Sequence, residues 1–280
     1  MNKISSDAVF RFGVLGEHLP HTLSPKIHTA LFQEQHIPAE YTVYELTADQ
    51  VTQLPQFMET ENLTGLNVTI PYKKTVFPLM DETEAAACEI GAINTILRKD
   101  GKLFGYNTDY IGVLSMFQKA GVSLKGRSIV ILGSGGATRA LIYGFHQAGA
   151  ASVTVAARNR EALSRLAERF PYLKTCGLEN VPSGDILVNA TPVGMYPNTG
   201  KSVVDASVIR RFHTAADIVY NPLITEFLSL ASDEGLKTVT GLMMLVDQAI
   251  GAQEIWFGKK LDYQMGKPIH QKLAERFLRK

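Results

Sequence analysis

Ser128-Ile129-Val130-Ile131-Leu132 is a continuous, β-branched apolar run that stops abruptly in Gly133-Ser134-Gly135-Gly136-Ala137. A run without polar alternation is expected of a strand covered on both faces. Glycines between a strand and a helix let backbone N–H groups approach a pyrophosphate at the positive end of the helix dipole. The helical pattern after them reaches about Ala148; a strand is predicted at Ser152–Ala156, a helix at about Arg160–Phe170, and strands at Asp185–Asn189, Asp217–Tyr220 and Lys237–Thr240. This series predicts a Rossmann-like, doubly wound parallel sheet. Thr138 stands where the usual fingerprint has a third small residue, so the loop alone also fits a glycine-rich turn with no ligand.

The chain has 280 residues, and at about 150 per domain it should form roughly two domains. Before residue 110 the texture differs. Strand-like runs at Val9–Leu15, Tyr41–Glu45, Leu66–Ile70 and Ile93–Leu97 alternate with helical patterns such as Pro25–Gln35, and Ile93–Tyr106 reads as strand, turn and strand. The fold class expected is therefore α/β, with an N-terminal α/β domain over 1–110 and a nucleotide domain over 111–240. The helical segment 241–280 is expected to return to the first domain.

Composition closes off other classes. Hydrophobic residues make up 45% and charged residues 20%, which excludes a disordered chain. With 28 Lys+Arg against 27 Asp+Glu, nothing points to a nucleic-acid or anionic-membrane partner. Apolar stretches such as Gly241–Val246 are too short to span a bilayer, and Met1–Asp7 lacks the apolar core of a secretory signal. Cys88 and Cys176 are far apart without ligand spacing, so no metal site is expected and a cytoplasmic setting is.

Cofactor preference is read after the second nucleotide-domain strand. An acidic residue there would accept hydrogen bonds from a ribose 2′-hydroxyl and repel a 2′-phosphate. The chain instead reads Ala157-Arg158-Asn159-Arg160, and guanidinium groups pair with phosphate, which favours NADP. The bland alternative is that both arginines are solvated charges at a helix start.

Four polar clusters edge the apolar runs of the first domain: His21-Thr22-Leu23-Ser24-Pro25-Lys26-Ile27-His28, Asn67-Val68-Thr69-Ile70-Pro71-Tyr72-Lys73, Gly91-Ala92-Ile93-Asn94-Thr95 and Asn107-Thr108-Asp109. Each has an ordinary reading. Ser24 suits a helix N-cap, Asn94, Asn107 and Asp109 suit turns, and a lone Lys is usually a surface charge.

In chain order these clusters, with Gly-Ser-Gly-Gly-Ala, Asn-Ala-Thr-Pro-Val-Gly-Met (189–195) and Gly-Leu-Met-Met-Leu-Val-Asp-Gln-Ala (241–249), resemble the shikimate dehydrogenase family from about Phe12 to Gln248. The resemblance implies reversible, NADPH-dependent reduction of 3-dehydroshikimate to shikimate, a small-molecule substrate of aromatic amino-acid biosynthesis. It implies Lys73 and Asp109 as the catalytic pair. It implies substrate contacts from Thr22, Ser24, Asn67, Thr69, Asn94, Asp109, Tyr220 and Gln248. For the cofactor it implies Gly133, Ser134, Gly135, Gly136, Ala137, Arg158 and Asn159, with Ile218 and Gly241 at the nicotinamide end. The substrate would sit on the first domain and the nicotinamide would reach across a cleft from the second.

Thr22 departs from the family's usual Ser, and Ala157-Arg158-Asn159 departs from its usual Asn-Arg-Thr, so a quinate/shikimate dehydrogenase accepting NAD is a live alternative. Ser134 replaces a common Ala without expected consequence. A non-catalytic nucleotide-binding regulator is a rival of another class, disfavoured by the presence of Lys73 and Asp109. Monomer and homodimer are both compatible with the sequence.

Overall fold

The computed structural model describes residues 9–278. The segment Met1–Asp7, considered above, and the last two residues of the chain lie outside them. The chain divides into two units. One holds the described residues up to Thr108 together with Ala249–Ile269; the other holds Asp109–Gln248 and the described residues from His270. The first boundary thus falls just before the expected 110/111. The C-terminal segment does not return whole to the first unit. Its terminal helix, Gly266–Leu278, belongs largely to the second, where the Phe277 ring meets that of Tyr220 at 6.2 Å.

In the first unit six strands form one mixed sheet: β1 (Phe10–Gly16), β2 (Ala39–Glu45), β3 (Gly65–Val68), β4 (Glu82–Thr83), β5 (Thr95–Lys99) and β6 (Lys102–Tyr106), in the order β2-β1-β3-β5-β6-β4. β1 is parallel to β2 and β3, whereas β5 runs antiparallel to both β3 and β6. The β5–β6 hairpin turns at Asp100 and Gly101, both at positive φ (51° and 76°), as the Lys-Asp-Gly sequence predicts. One face packs Leu15, Leu66, Val68, Ile93 and Ile96 with Leu54 and Met58 of the helix Leu54–Thr60. On the other, Phe12, Phe32 and Trp256 stack, with Phe12–Trp256 centroids 4.4 Å apart.

In the second unit, β7 (Ser128–Leu132), β8 (Ser152–Ala156), β9 (Lys174–Cys176), β10 (Ile186–Asn189), β11 (Thr214–Asp217) and β12 (Lys237–Val239) form an all-parallel sheet ordered β12-β11-β10-β7-β8-β9. Strand order reverses between β7 and β10, the switch point at which doubly wound sheets bind ligands beyond their carboxyl ends. Alternate residues serve opposite faces. Ile129, Ile131, Val153 and Val155 pack on one side, Val130, Leu132 and Leu187 on the other. Burial on both faces is why β7 and β8 read as unbroken apolar runs.

One strand lies elsewhere than its sequence suggests. β11 ends at Asp217, against the strand expected over Asp217–Tyr220, because Thr214-Ala215-Ala216 lacks the bulk that marks a strand in sequence while Ile218-Val219-Tyr220 has it. β9 has no counterpart among the expected strands; its short Lys-Thr-Cys run carries no apolar signal.

Candidate active site

In the first unit the residues expected to face the substrate lie at the ends of β3 and β5 and at the start of the first helix. That helix begins at Ser24, with Leu23 at its N-cap and no side-chain capping bond. The expected N-cap role of Ser24 is therefore corrected. Its hydroxyl instead accepts from the Thr22 hydroxyl at 3.3 Å. Tyr41 Oη donates to Asn67 Oδ1 at 2.7 Å. Asn67 Nδ2 reaches the Asn94 carbonyl oxygen (3.3 Å) and Thr95 Oγ1 (3.2 Å).

Asn94, 2% exposed, accepts from the Thr108 N–H at 2.7 Å and from Thr95 Oγ1 at 2.9 Å, and donates to Thr108 Oγ1 at 3.0 Å. Asn107 Nδ2 donates to the Ala92 carbonyl oxygen at 2.9 Å. Positions up to 67 apart in sequence, from Tyr41 to Thr108, thus join in one hydrogen-bonded set, and Thr22 and Ser24 form a separate pair. Burying so many polar groups is tolerated only because each finds a partner.

Thr69 follows β3 directly, half-buried, with its N–H on the Leu15 carbonyl oxygen at 2.9 Å. Lys73 lies in the turn beyond Pro71, half-buried, its carbonyl oxygen accepting from the Ile93 N–H at 2.8 Å. That bond pins the lysine's backbone to the segment carrying Asn94.

The second unit opens with Asp109, 7% exposed, the first residue of the helix Asp109–Lys119. The other end of that helix is tied to the helix Leu242–Phe257, which carries Gln248. Asp247, fully buried, takes Lys119 Nζ at 2.8 Å and the Ser115 hydroxyl. Gln248 itself is half-buried, its Nε2 donating to the Leu245 carbonyl oxygen. Tyr220 stands in the loop after β11, where burial pushes its phenol pKa up.

The glycine loop joins β7 to the helix Thr138–Gln147, whose N-cap makes no side-chain bond. Gly133 sits at φ +106°, and a Cβ there would stand 2.6 Å from Thr191 Cγ2. Beside Gly136 a Cβ would meet nothing within 4 Å. Tight backbone on one side and open space on the other, at uncapped helix N–H groups, fit a pyrophosphate. Thr138, fully buried, donates its hydroxyl to the Gly133 carbonyl oxygen at 2.9 Å, so the departure from the fingerprint fastens the loop rather than spoiling it.

Gly241 answers a second close approach, since a Cβ there would stand 2.5 Å from the Ile218 carbonyl oxygen. The two residues expected at the nicotinamide end are thus in contact. Behind them Asp217 accepts from Asn189, Thr225 and the Val219 N–H, yet burial outweighs these bonds and pushes its pKa up to about 6.

Arg158 is exposed at the end of β8. Asn159 is the N-cap of the helix Arg160–Arg169, accepting from the Ala162 N–H at 2.9 Å. Arg160 pairs with Glu179 at 3.3 Å on the surface. Tyr41 and Asp217 escaped sequence reasoning as site residues, and Thr95, Thr108 and Thr138 were named in it without a site role. The signal available for them was a polar residue inside or just beyond an apolar strand, which also describes many ordinary surface positions.

Two family models match: the shikimate dehydrogenase substrate binding domain over residues 14–96, and the coenzyme F420-dependent NADP oxidoreductase over 128–209. The second spans the glycine loop and β7 to β10. A shikimate dehydrogenase (NADP(+)) of Clostridium perfringens strain 13 is 41% identical over 268 residues, 95% of this chain and 99% of that one. The crystal structure of shikimate dehydrogenase 1 from Peptoclostridium difficile is similar with a TM-score of 0.87 at 39% identity, covering 96% and 99% of the two chains. Shikimate 5-dehydrogenase from Thermus thermophilus, in complex with NADP(H) and shikimate, has a TM-score of 0.85 at 32% identity, covering 95% and 100%. The chain belongs to the shikimate dehydrogenase family.

Proposed function

We propose that this protein is an NADP-dependent shikimate dehydrogenase that reversibly reduces 3-dehydroshikimate to shikimate in aromatic amino-acid biosynthesis. The observation that carries the reading is the hydrogen-bonded set linking Asn67, Asn94 and Thr108 through Tyr41 and Thr95. A ring bearing a carboxylate and several hydroxyls needs such a surface of fixed donors and acceptors. A surface of this kind rejects analogues that leave its polar groups unpaired.

Thr22 and Ser24 would take the carboxylate, and Asn67, Thr69, Asn94, Asp109, Tyr220 and Gln248 would take the ring hydroxyls. Gly133, Ser134, Gly135, Gly136 and Ala137 would hold the pyrophosphate, Arg158 the 2′-phosphate, and Ile218 with Gly241 the nicotinamide. When bound, NADPH supplies the hydride that reaches the carbonyl carbon. The Lys73 ammonium then stabilises the growing negative charge on the oxygen and gives it a proton, and Asp109 orients the lysine. In the reverse direction the amine accepts the hydroxyl proton. Positioned proton transfer of this kind is worth ~10²–10⁴-fold.

A second reading, in which NAD is also accepted, draws on the phosphate side. Asn159 is spent on its helix N-cap and Arg160 on Glu179, which leaves Arg158 as the expected phosphate ligand. Initial rates for shikimate and quinate, each with NAD⁺ and NADP⁺, test both readings. Shikimate with NADP⁺ should be fastest. No turnover with any pair, despite cofactor binding, would favour the regulatory rival.

The protein is proposed to act in the cytoplasm, as a monomer or homodimer. Among the described residues no helix is long and apolar enough to cross a membrane.

A further inference from the structure

Asn189 and Asp217 are the last residues of the neighbouring strands β10 and β11, paired in register, and neither has exposed surface. The proposed reaction uses neither side chain. A buried carboxylate is costly to keep, and an apolar pair of similar size would close the end of a sheet without that cost. Its bonds show what it holds. Asn189 Nδ2 donates to both carboxylate oxygens at 3.1 Å, the Val219 N–H donates to Oδ1 at 2.9 Å, and Thr225 Oγ1 donates to Oδ2 at 2.7 Å.

One arm of this network runs to the glycine loop. An ionised carboxylate only accepts, so it turns the Asn189 amide with its nitrogen toward Asp217 and its oxygen toward Thr191. That oxygen accepts from the Thr191 N–H at 3.0 Å and from Thr191 Oγ1 at 2.7 Å. With its own proton committed to Asn189, Thr191 Oγ1 accepts from the Val193 N–H at 3.2 Å, while Asn189 Nδ2 donates to the Val193 carbonyl oxygen at 3.3 Å. Held on both sides at its hydroxyl, Thr191 turns its methyl toward Gly133: Cγ2 is the atom that would stand 2.6 Å from a Cβ there.

The other arm is a single peptide group. The N–H of Val219 and the carbonyl of Ile218 belong to one peptide plane. Asp217 takes the N–H, and the carbonyl oxygen faces Gly241, 2.5 Å from where a Cβ would stand. Both places at which the cofactor is expected to meet backbone are thus fastened to the same carboxylate.

We propose that Asp217 is a positioning residue for the dinucleotide: its buried carboxylate holds Thr191 against the glycine loop and the Ile218–Val219 peptide against Gly241, and so sets the spacing between the pyrophosphate and nicotinamide contacts. Support of this kind behind a binding surface is what keeps its geometry fixed before the ligand arrives. The inference rests on the reading that these backbone segments meet NADP.

Asp217→Asn keeps the shape and replaces one acceptor oxygen by an NH₂. Either way round, that NH₂ faces the Asn189 NH₂, because Asn189 donates to both oxygens. Titrations belong at about pH 8, where the Asp217 carboxyl, pushed up to about 6 by burial, is ionised in the unmutated protein. The Kd for NADP⁺ is expected to rise about 10-fold. Adenosine 2′-monophosphate carries the phosphate expected at Arg158 but lacks both pyrophosphate and nicotinamide, so its Kd should stay within about twofold. A merely loosened domain would weaken both ligands, whereas lost spacing weakens only the dinucleotide.

An unchanged Kd for NADP⁺ in folded Asp217→Asn, or equal losses for the two ligands, would overturn the proposal. Should that variant fail to fold, Thr191→Val replaces it, keeping a methyl beside Gly133 and removing the hydroxyl that aims it. A several-fold rise in Kd for NADP⁺ with adenosine 2′-monophosphate unaffected supports the proposal, and no rise or equal losses overturns it. Failure of the unmutated protein to bind NADP⁺ would instead sink the functional reading on which the inference stands.

Discussion

The two units build their proposed binding surfaces by opposite means. The second uses backbone: glycines at the carboxyl end of β7, set against the Ala190–Thr191 segment across the switch point, leave N–H groups and open space. The first uses side chains, with buried amides and hydroxyls that hold one another in register from β3, β5 and the turn before Asp109. A backbone site is announced by residues whose identity is itself the signal. A side-chain site is assembled from residue types that occur everywhere.

Several substitutions would break or sharpen this contrast. The largest effect is expected on the side-chain surface: Lys73→Ala should lower kcat by at least ~10² with little change in melting temperature, measured by steady-state kinetics and thermal unfolding. In the backbone site, Gly133→Val would force a side chain into Thr191 at a positive φ. It should raise KM for NADP⁺ about 10-fold or more while leaving substrate binding unaffected, read by titrating each ligand separately. Smaller still is Arg158→Ala, which should raise KM for NADP⁺ several-fold more than KM for NAD⁺, because a single guanidinium–phosphate pair is lost.

The pH dependence of stability carries a definite sign. Asp217 has a folded pKa of about 6 against an ordinary value of 3.8, so between these values the folded protein binds the extra proton. Its contribution to stability is therefore present at low pH and is lost as pH rises from about 4 to about 6. Asp185, pulled down to about 2 by Ser128 and Arg127, works the other way, losing stability as pH falls below 3.8. Burial of His28, whose pKa is pushed down to about 3, gives the opposite trend over the same range, so the Asp217 slope is read as a difference: from pH 5 to pH 7, Asp217→Asn should gain stability relative to the unmutated protein in denaturant titrations. The smallest effect belongs to Arg160→Ala. Its exposed pair with Glu179 should contribute at most ~1 kcal/mol, seen as a near-unchanged denaturation midpoint.

Legibility in sequence followed the same divide. β7 and β8 begin and end where their apolar runs do, since burial on both faces leaves no ambiguity of phase. β11 was displaced because Ala215 and Ala216 pack tightly while carrying little hydrophobic weight. In the first unit the polar clusters could be named from the residues, but what braces them could not. Tyr41 lies 26 residues before Asn67 and Thr108 lies 14 after Asn94, and the pairing of β1, β2, β3, β5 and β6 brings such positions together. Ser24 shows the limit most plainly: local propensity assigned it to a cap, and its hydroxyl pairs with Thr22 instead.

The most direct test is a double-mutant cycle on kcat for shikimate oxidation, with Lys73→Ala, Asp109→Ala and the pair. If the two groups handle one proton as a unit, each single change costs at least ~10² and the double variant is no slower than the worse single. Losses that multiply in the double variant would show the two residues acting independently and contradict the paired role.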